Sequence, residues 1–98
     1  MNLNKVLHQD GVKMFELIPT RQKSYYHKAI VLETQAGKKY LQSYCTLVCV
    51  IDKDGNFKRL WWGESATTMK HVNDFLRLYN IPGGGVHWWR NQKVFEEG

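Results

Sequence analysis

The stretch TRQKSYYHKA, Thr20 to Ala29, gathers the side chains best suited to chemistry with a polyanion. Arg21, Lys23 and Lys28 surround Tyr25, Tyr26 and His27 there. Cations displace the counterions of phosphates, and neighbouring rings stack on bases. Lys38 and Lys39 follow the glycine turn QAG, and Lys58 and Arg59 follow DKDGN. If the two hairpins lie side by side, these four extend the same surface. Arg21, Lys23, Tyr25, Tyr26, Lys28, Lys38, Lys39, Lys58 and Arg59 are therefore the candidate contacts for nucleic acid or for a partner. The competing reading is an exposed turn entering a strand, with lysines that keep a sheet edge from pairing with other chains. No RNP-like aromatic consensus and no helix-turn-helix spacing accompanies the stretch, so it indicates a ligand class and nothing narrower.

Other residues capable of chemistry lack the company that chemistry needs. His8, His27, His71 and His87 are scattered. His71 and Asp74 are three apart on an expected helix and within mutual reach, but a hydrolytic site also needs a nucleophile and an oxyanion hole. Ser65 is better placed as a helix cap. There is no H-x-E and no C-x-x-C pair, which removes the zinc deaminases and zinc fingers. DKDGNFK resembles a calcium loop only superficially: its glycine is fourth instead of sixth, and position twelve is Gly63 instead of a bidentate glutamate. Gly83–Gly85 lacks the Lys-Ser/Thr of a phosphate-cradling loop and reads as a connection. Cys45 and Cys49, in one extended strand, would stand about 13 Å apart, too far for a disulfide; both read as small core residues in a reducing compartment. No catalytic residue, metal ligand or cofactor is assigned, and the chain is expected not to be an enzyme.

The elements that must position these residues are legible from periodicity. Leu3, Val6 and Leu7 suggest one or two helical turns over residues 3–9, ended by Asp10-Gly11. Strand-like runs cover Val12–Ile18, Lys28–Thr34, Tyr40–Ile51 and Asn56–Trp62, with turns at QAGKK and DKDGN. Leu47–Ile51 is apolar on both faces and belongs inside a sheet. From Ala66, the residues Met69, Val72, Phe75, Leu76 and Tyr79 draw one helical face, with Lys70, Asn73, Asp74 and Arg77 opposite. That helix, about Ala66–Asn80, stops at NIPGGG. The tail VHWWRNQKVFEEG reads as a short helix or strand in which Trp88 and Trp89 cannot share a face. The expected fold is α+β: one domain over residues 1–98, an antiparallel sheet of about four strands, one main helix across one face, and short helical pieces at the ends.

The 98 residues are 43% hydrophobic and 23% charged, an ordinary globular balance that argues against disorder. The net charge is +5, and all of the excess lies in residues 1–60, which hold ten Lys/Arg against five Asp/Glu. That asymmetry favours polyanions or an acidic partner protein. No apolar run approaches the roughly 18 residues of a membrane span, and MNLNKVLHQDG does not read as a signal peptide. The expected location is the cytosol.

The succession YYHKAIVLET, LQSYCTLVCVID and GNFKRLWWGESATTMKHVNDFL, Tyr26 to Leu76, resembles a family of small uncharacterised proteins carried by phages, plasmids and related mobile elements of Gram-positive bacteria. The resemblance implies a compact α+β fold and a mobile-element context, and carries no catalytic residue with it. Small non-enzymatic proteins in that context often bind host machinery, for instance to block a defence nuclease as anti-CRISPR proteins do. A basic chain does not suit mimicry of DNA. It suits holding guide RNA or target DNA, or gripping an acidic patch. The expected function is thus inhibition or modulation of a nucleic-acid-handling host complex through the basic-aromatic surface. The alternative is a protein–protein module that uses Trp62, Trp88 or Trp89 without touching nucleic acid.

Overall fold

A computed structural model describes residues 11–20 and 23–95 of the chain. The helical turns expected over residues 3–9, and Arg21, lie outside the described residues. The chain forms β1 (Lys13–Glu16), β2 (Ala29–Glu33), β3 (Lys39–Ser43), β4 (Thr46–Ile51), β5 (Phe57–Arg59), α1 (Ala66–Leu78) and α2 (Gly85–Arg90). The five strands form one sheet in chain order, each antiparallel to the next. The fold is therefore α+β, with five strands where four were expected. The run Tyr40–Ile51 is two strands, because the chain reverses at Tyr44-Cys45, with Ser43 opposite Thr46. Tyr44 holds φ at 56°, a left-handed conformation that costs a non-glycine residue roughly 1–2 kcal/mol. Neither glycine, asparagine nor proline marks this turn. Cys45 is consequently an exposed turn residue, not a core residue, while Cys49 is buried.

Strand β4 is buried along Leu47–Ile51, as its two apolar faces predict. Its alternation is not regular. Leu41 pairs with Cys49 and Gln42 with Leu47, so Val48 is an extra residue in a bulge. Val48, Cys49 and Ile51 join the core beneath the helices, and Leu47 and Val50 join Leu32 and Tyr40 on the other face. The bulged Val48 carbonyl accepts from Leu60 N–H at 2.9 Å and Trp61 N–H at 3.2 Å, which steers the chain off β5.

Helix α1 contains Thr, His, Val, Asn and Asp, all modest helix formers, so packing must hold it. Met69, Val72, Phe75 and Leu76 are buried against Ala29, Val31, Leu41, Cys49 and Ile51, and each such side chain contributes roughly 1.5–3 kcal/mol. The helix opens where expected: Ser65 Oγ accepts from Thr68 N–H at 3.1 Å. It closes in a Schellman motif, with Asn80 at φ 58°. Ile81 N–H donates to Leu76 O at 2.9 Å and Asn80 N–H to Arg77 O at 3.1 Å. Helix α2 adds a fully buried Trp89 to the same core, while Trp88 stays half-buried against Phe57. Both helices therefore contribute to the cluster on one side of the sheet.

Arg59 corrects the sequence reading most sharply. Expected as a surface contact, it is buried at 7% exposure. Its Nε donates to Trp61 O at 2.8 Å, Nη1 to Trp89 O at 2.9 Å and Gln92 O at 3.5 Å, and Nη2 to Trp62 O at 2.5 Å and Gly63 O at 3.4 Å. The guanidinium lies 4.5 Å over the Trp89 ring. Gly63 is required beside it, since a Cβ there would sit 2.4 Å from the Trp61 ring. An ammonium cannot reproduce this planar fork, and each carbonyl left without a donor costs about 1–3 kcal/mol. Arg59→Lys and Arg59→Met are each expected to lower the unfolding free energy by about 3 kcal/mol or more, read from urea midpoints; a loss below about 1 kcal/mol would contradict this role.

Candidate functional site

Strand register divides the predicted contacts into two groups. Lys28 immediately precedes β2, at the end of the sheet where Ala29 opposes Ser43. Lys39 opposes Glu33 and Ile51 at the other end, and Lys58 opposes Val50 one residue short of that end. Five residues of strand separate the ends by about 15 Å. The hairpin lysines do not continue the surface that carries Lys23, Tyr26 and Lys28.

The far group is occupied locally. Lys39 Nζ donates to Gly37 O at 3.3 Å and lies 5.3 Å over the Tyr79 ring. Lys58 stands 3.7 Å from Asp52 and 4.5 Å over the Phe95 ring. Lys38 N–H donates to Thr34 Oγ1 within the β2–β3 turn. Tyr79 donates to Glu33 Oε2 at 2.6 Å, and burial together with that bond pushes its phenol well above the usual range.

The near group is organised around a buried tyrosine. Tyr25, another expected contact, is 5% exposed and donates its hydroxyl to Asp74 Oδ2. Asp74, expected on the outer face of α1, is drawn inward. It also accepts from Thr20 Oγ1 at 2.8 Å and Thr20 N–H at 3.3 Å, with Arg77 Nη1 4.0 Å away. Burial, then the bond to Asp74, pushes the Tyr25 phenol up, and Arg77 opposes this. His71, reached edge-on by the Tyr25 ring at 4.4 Å, does not pair with Asp74. Its Nδ1 is 2.8 Å from Ser43 Oγ, which lies 3.2 Å from Thr68 Oγ1. Ser43 and His71 are 3% and 1% exposed, and neither lines the groove described below, so the pair acts as a satisfied hydrogen bond in the core.

Three cations stand around this centre. Lys28 and Lys70 both act on His71, and Arg77 acts on Tyr25. Lys70 and Arg77 are seven residues apart on one flank of α1, about 10 Å along its axis. With Asn73, Asp74, Asn80 and Gly83–Gly85 they line an open groove of about 940 Å³ that Thr20 and Tyr25 also line. Gly83 lies so close to α1 that a Cβ would sit 2.9 Å from Leu76.

At the mouth of this face the backbone is unusual. Tyr26 and His27 hold φ at 52° and 65°, and Lys28 N–H donates to Tyr25 O at 2.9 Å. That is the pattern of a type I′ turn, normally built from Asn and Gly. Ser24 Oγ accepts from Tyr26 N–H and Glu16 Oε1 from His27 N–H, both at 2.9 Å. The His27 amide, as largest cause, holds the Glu16 carboxyl below its usual range, aided by Ser24. Tyr44 N–H donates to Lys28 O at 2.7 Å, and Lys28 Nζ lies 5.7 Å over the Tyr44 ring. Lys23, Tyr26, Lys28 and Tyr44 are exposed together there.

Sequence reasoning missed Tyr44, Lys70 and Arg77. The last two were visible as a seven-residue repeat on the polar side of a helix, but nothing local announced that the β1–β2 loop folds over that helix. The described residues hold no group of three His, Cys, Asp or Glu side chains able to bind a metal, and no helix among them is long and apolar enough to cross a membrane.

Burial holds His71 below its ordinary 6.5; Lys28 and Lys70 act in the same direction and Asp74 opposes. As pH falls through about 6.5, the unfolded chain takes up the proton before the folded one. This contribution to stability is therefore complete above about 6.5 and is lost as pH drops through the folded value. The unfolding free energy should decline as pH falls below about 6.5, and His71→Asn should flatten that decline. Parallel profiles for the two proteins would contradict it.

No curated protein and no solved structure matches the chain. A family model does: it aligns over residues 14–91, from within β1 to just past α2, and takes in the near face and Arg59 with its partners up to Trp89. The chain belongs to the family of unknown function DUF8033.

Proposed function

We propose that the chain is a non-enzymatic binding protein that grips nucleic acid in a nucleoprotein complex and thereby inhibits or modulates it. A host defence nuclease is the case that the mobile-element resemblance suggests, and the host cytosol is where it would act. The observation that carries this reading is the presentation of cations on the near face. Lys28, Lys70 and Arg77 stand around one buried centre, while Glu16 and Asp74 accept from N–H groups and hydroxyls, Asp74 also standing 4.0 Å from Arg77. Lys28 and Lys70 are exposed, and their positive charge is what a phosphate backbone needs. Exposed aromatic rings at the edge of the same face support a nucleic-acid ligand over an acidic protein.

Trp62 supports a second reading, a protein anchor. It is 80% exposed, whereas Trp89 is buried and Trp61 and Trp88 are half-buried. Arg59 fixes the carbonyls of residues 61–63, so the indole is held out on a rigid backbone. Rigid aromatic anchors are typical of protein hot spots.

Salt separates the two. Lys28→Gln, Lys70→Gln and Arg77→Gln together should weaken binding of an oligonucleotide about tenfold or more and reduce the slope of log K against log salt by about two. Trp62→Ala should leave both within about twofold. The same affinity and slope in the triple variant, measured by fluorescence anisotropy, would overturn the nucleic-acid reading.

A further inference from the structure

Tyr26, His27 and Tyr44 hold left-handed backbone although none is glycine. Such positions persist only where their surroundings over-determine them, and they concentrate at ligand sites. The surroundings here are Ser24, Glu16 and the Lys28 carbonyl, which tie the two turns to each other and to β1. Tyr26 and Tyr44 are 67% and 47% exposed, and neither belongs to a core cluster. Asn-Gly in the first turn and Gly at Tyr44 would make the same reversals without steric cost. Folding alone does not select an aromatic side chain at Tyr26; the Tyr44 ring also lies 6.0 Å from that of the buried His71 and so serves the fold as well.

Resting on the nucleic-acid reading above, we propose that Tyr26 and Tyr44 are stacking platforms for bases, and that the ligand is therefore a single strand or unpaired segment of RNA or DNA. A duplex keeps its base faces stacked on one another and presents only edges and phosphates in its grooves. Unpaired bases present whole faces, which aromatic side chains accept with little regard to sequence. Lys28, 5.7 Å over Tyr44, supplies the adjacent phosphate contact. Lys70 and Arg77, with Asp74 between them, line the groove beside α1 and offer further phosphate contacts. The turns set both rings before the ligand arrives, so stacking sacrifices little backbone freedom.

The test sets stability against binding. The probes are labelled oligothymidylate and oligouridylate of about 16 nucleotides, with a mixed-sequence duplex of equal length, titrated at several salt concentrations. The double variant Tyr26→Asn with His27→Gly should raise the Tm by about 4 °C or more, because it restores the residues that the turn prefers. The same variant, and separately Tyr44→Gly, should weaken binding of the single strands fivefold or more with an unchanged salt slope, since no lysine or arginine is removed. Tyr26→Phe keeps the ring and should bind as the wild type does. The two oligonucleotide arms show whether the 2′-hydroxyl matters, and a preference for either over the duplex fits the proposal. If the duplex binds as tightly as the single strands, or if the glycine and asparagine variants bind as the wild type does, base stacking is overturned and the basic face stands. If neither oligonucleotide nor duplex shows salt-dependent binding, the nucleic-acid reading fails together with it.

Discussion

One buried guanidinium holds three parts of the chain together. Arg59 leaves the last strand of the sheet pointing into the core, and no carboxylate among the described residues lies within ion-pair distance of it. Its donors instead meet carbonyls from the loop after β5, from the end of α2 and from the segment beyond it. The Arg59 carbonyl accepts from Phe95 N–H at 2.7 Å, and Arg59 bridges to Val94, so the open side of β5 is covered by the same contact. A charge in the core is tolerable only when its donors are satisfied. Here the satisfaction comes from backbone that would otherwise be exposed loop. The loop so fixed leads straight into the Ser65 cap, and the start of α1 inherits its position.

The near face depends on that placement of α1. Once the helix lies over the sheet, Asp74 faces the β1–β2 loop, and Tyr25 and Thr20 close onto it. The loop is thereby held across the helix, with Lys70 and Arg77 outside and His71 beneath. Tyr25 works as an internal strut that keeps the cations spaced, and its neighbour Tyr26 is carried outward by a strained turn. Two adjacent tyrosines thus have opposite roles, one in the core and one exposed to solvent.

Much of the fold was legible because its signals are local. The apolar stripe of α1, the Ser65 cap, the Asp-Gly hairpin and the doubly apolar Leu47–Ile51 each express a periodicity or a turn preference within a few residues. What escaped is what local chemistry does not encode. The turn at Tyr44-Cys45 breaks a β-branched run without any turn-forming residue, so two strands read as one. The bulge at Val48 shifts the alternation without changing composition. Arg59 and Tyr25 carry types usual at surfaces, and only the meeting of distant segments buries them. The candidate site was legible in part for the same reason: Lys23, Tyr26 and Lys28 are contiguous in sequence, whereas Tyr44, Lys70 and Arg77 join them only through topology. That topology also moves Lys38, Lys39 and Lys58 to the other end of the sheet.

The central claim is that binding belongs to the near face. Amide shift mapping by two-dimensional NMR, with labelled protein and unlabelled oligothymidylate, reads this without any substitution. The account predicts perturbed amides along residues 23–28, at Tyr44 and Cys45, and along Lys70–Arg77, while the turns holding Lys38 and Lys53 stay still. Shifts confined to those turns or to the surroundings of Trp62, or no shifts at low salt, would contradict it.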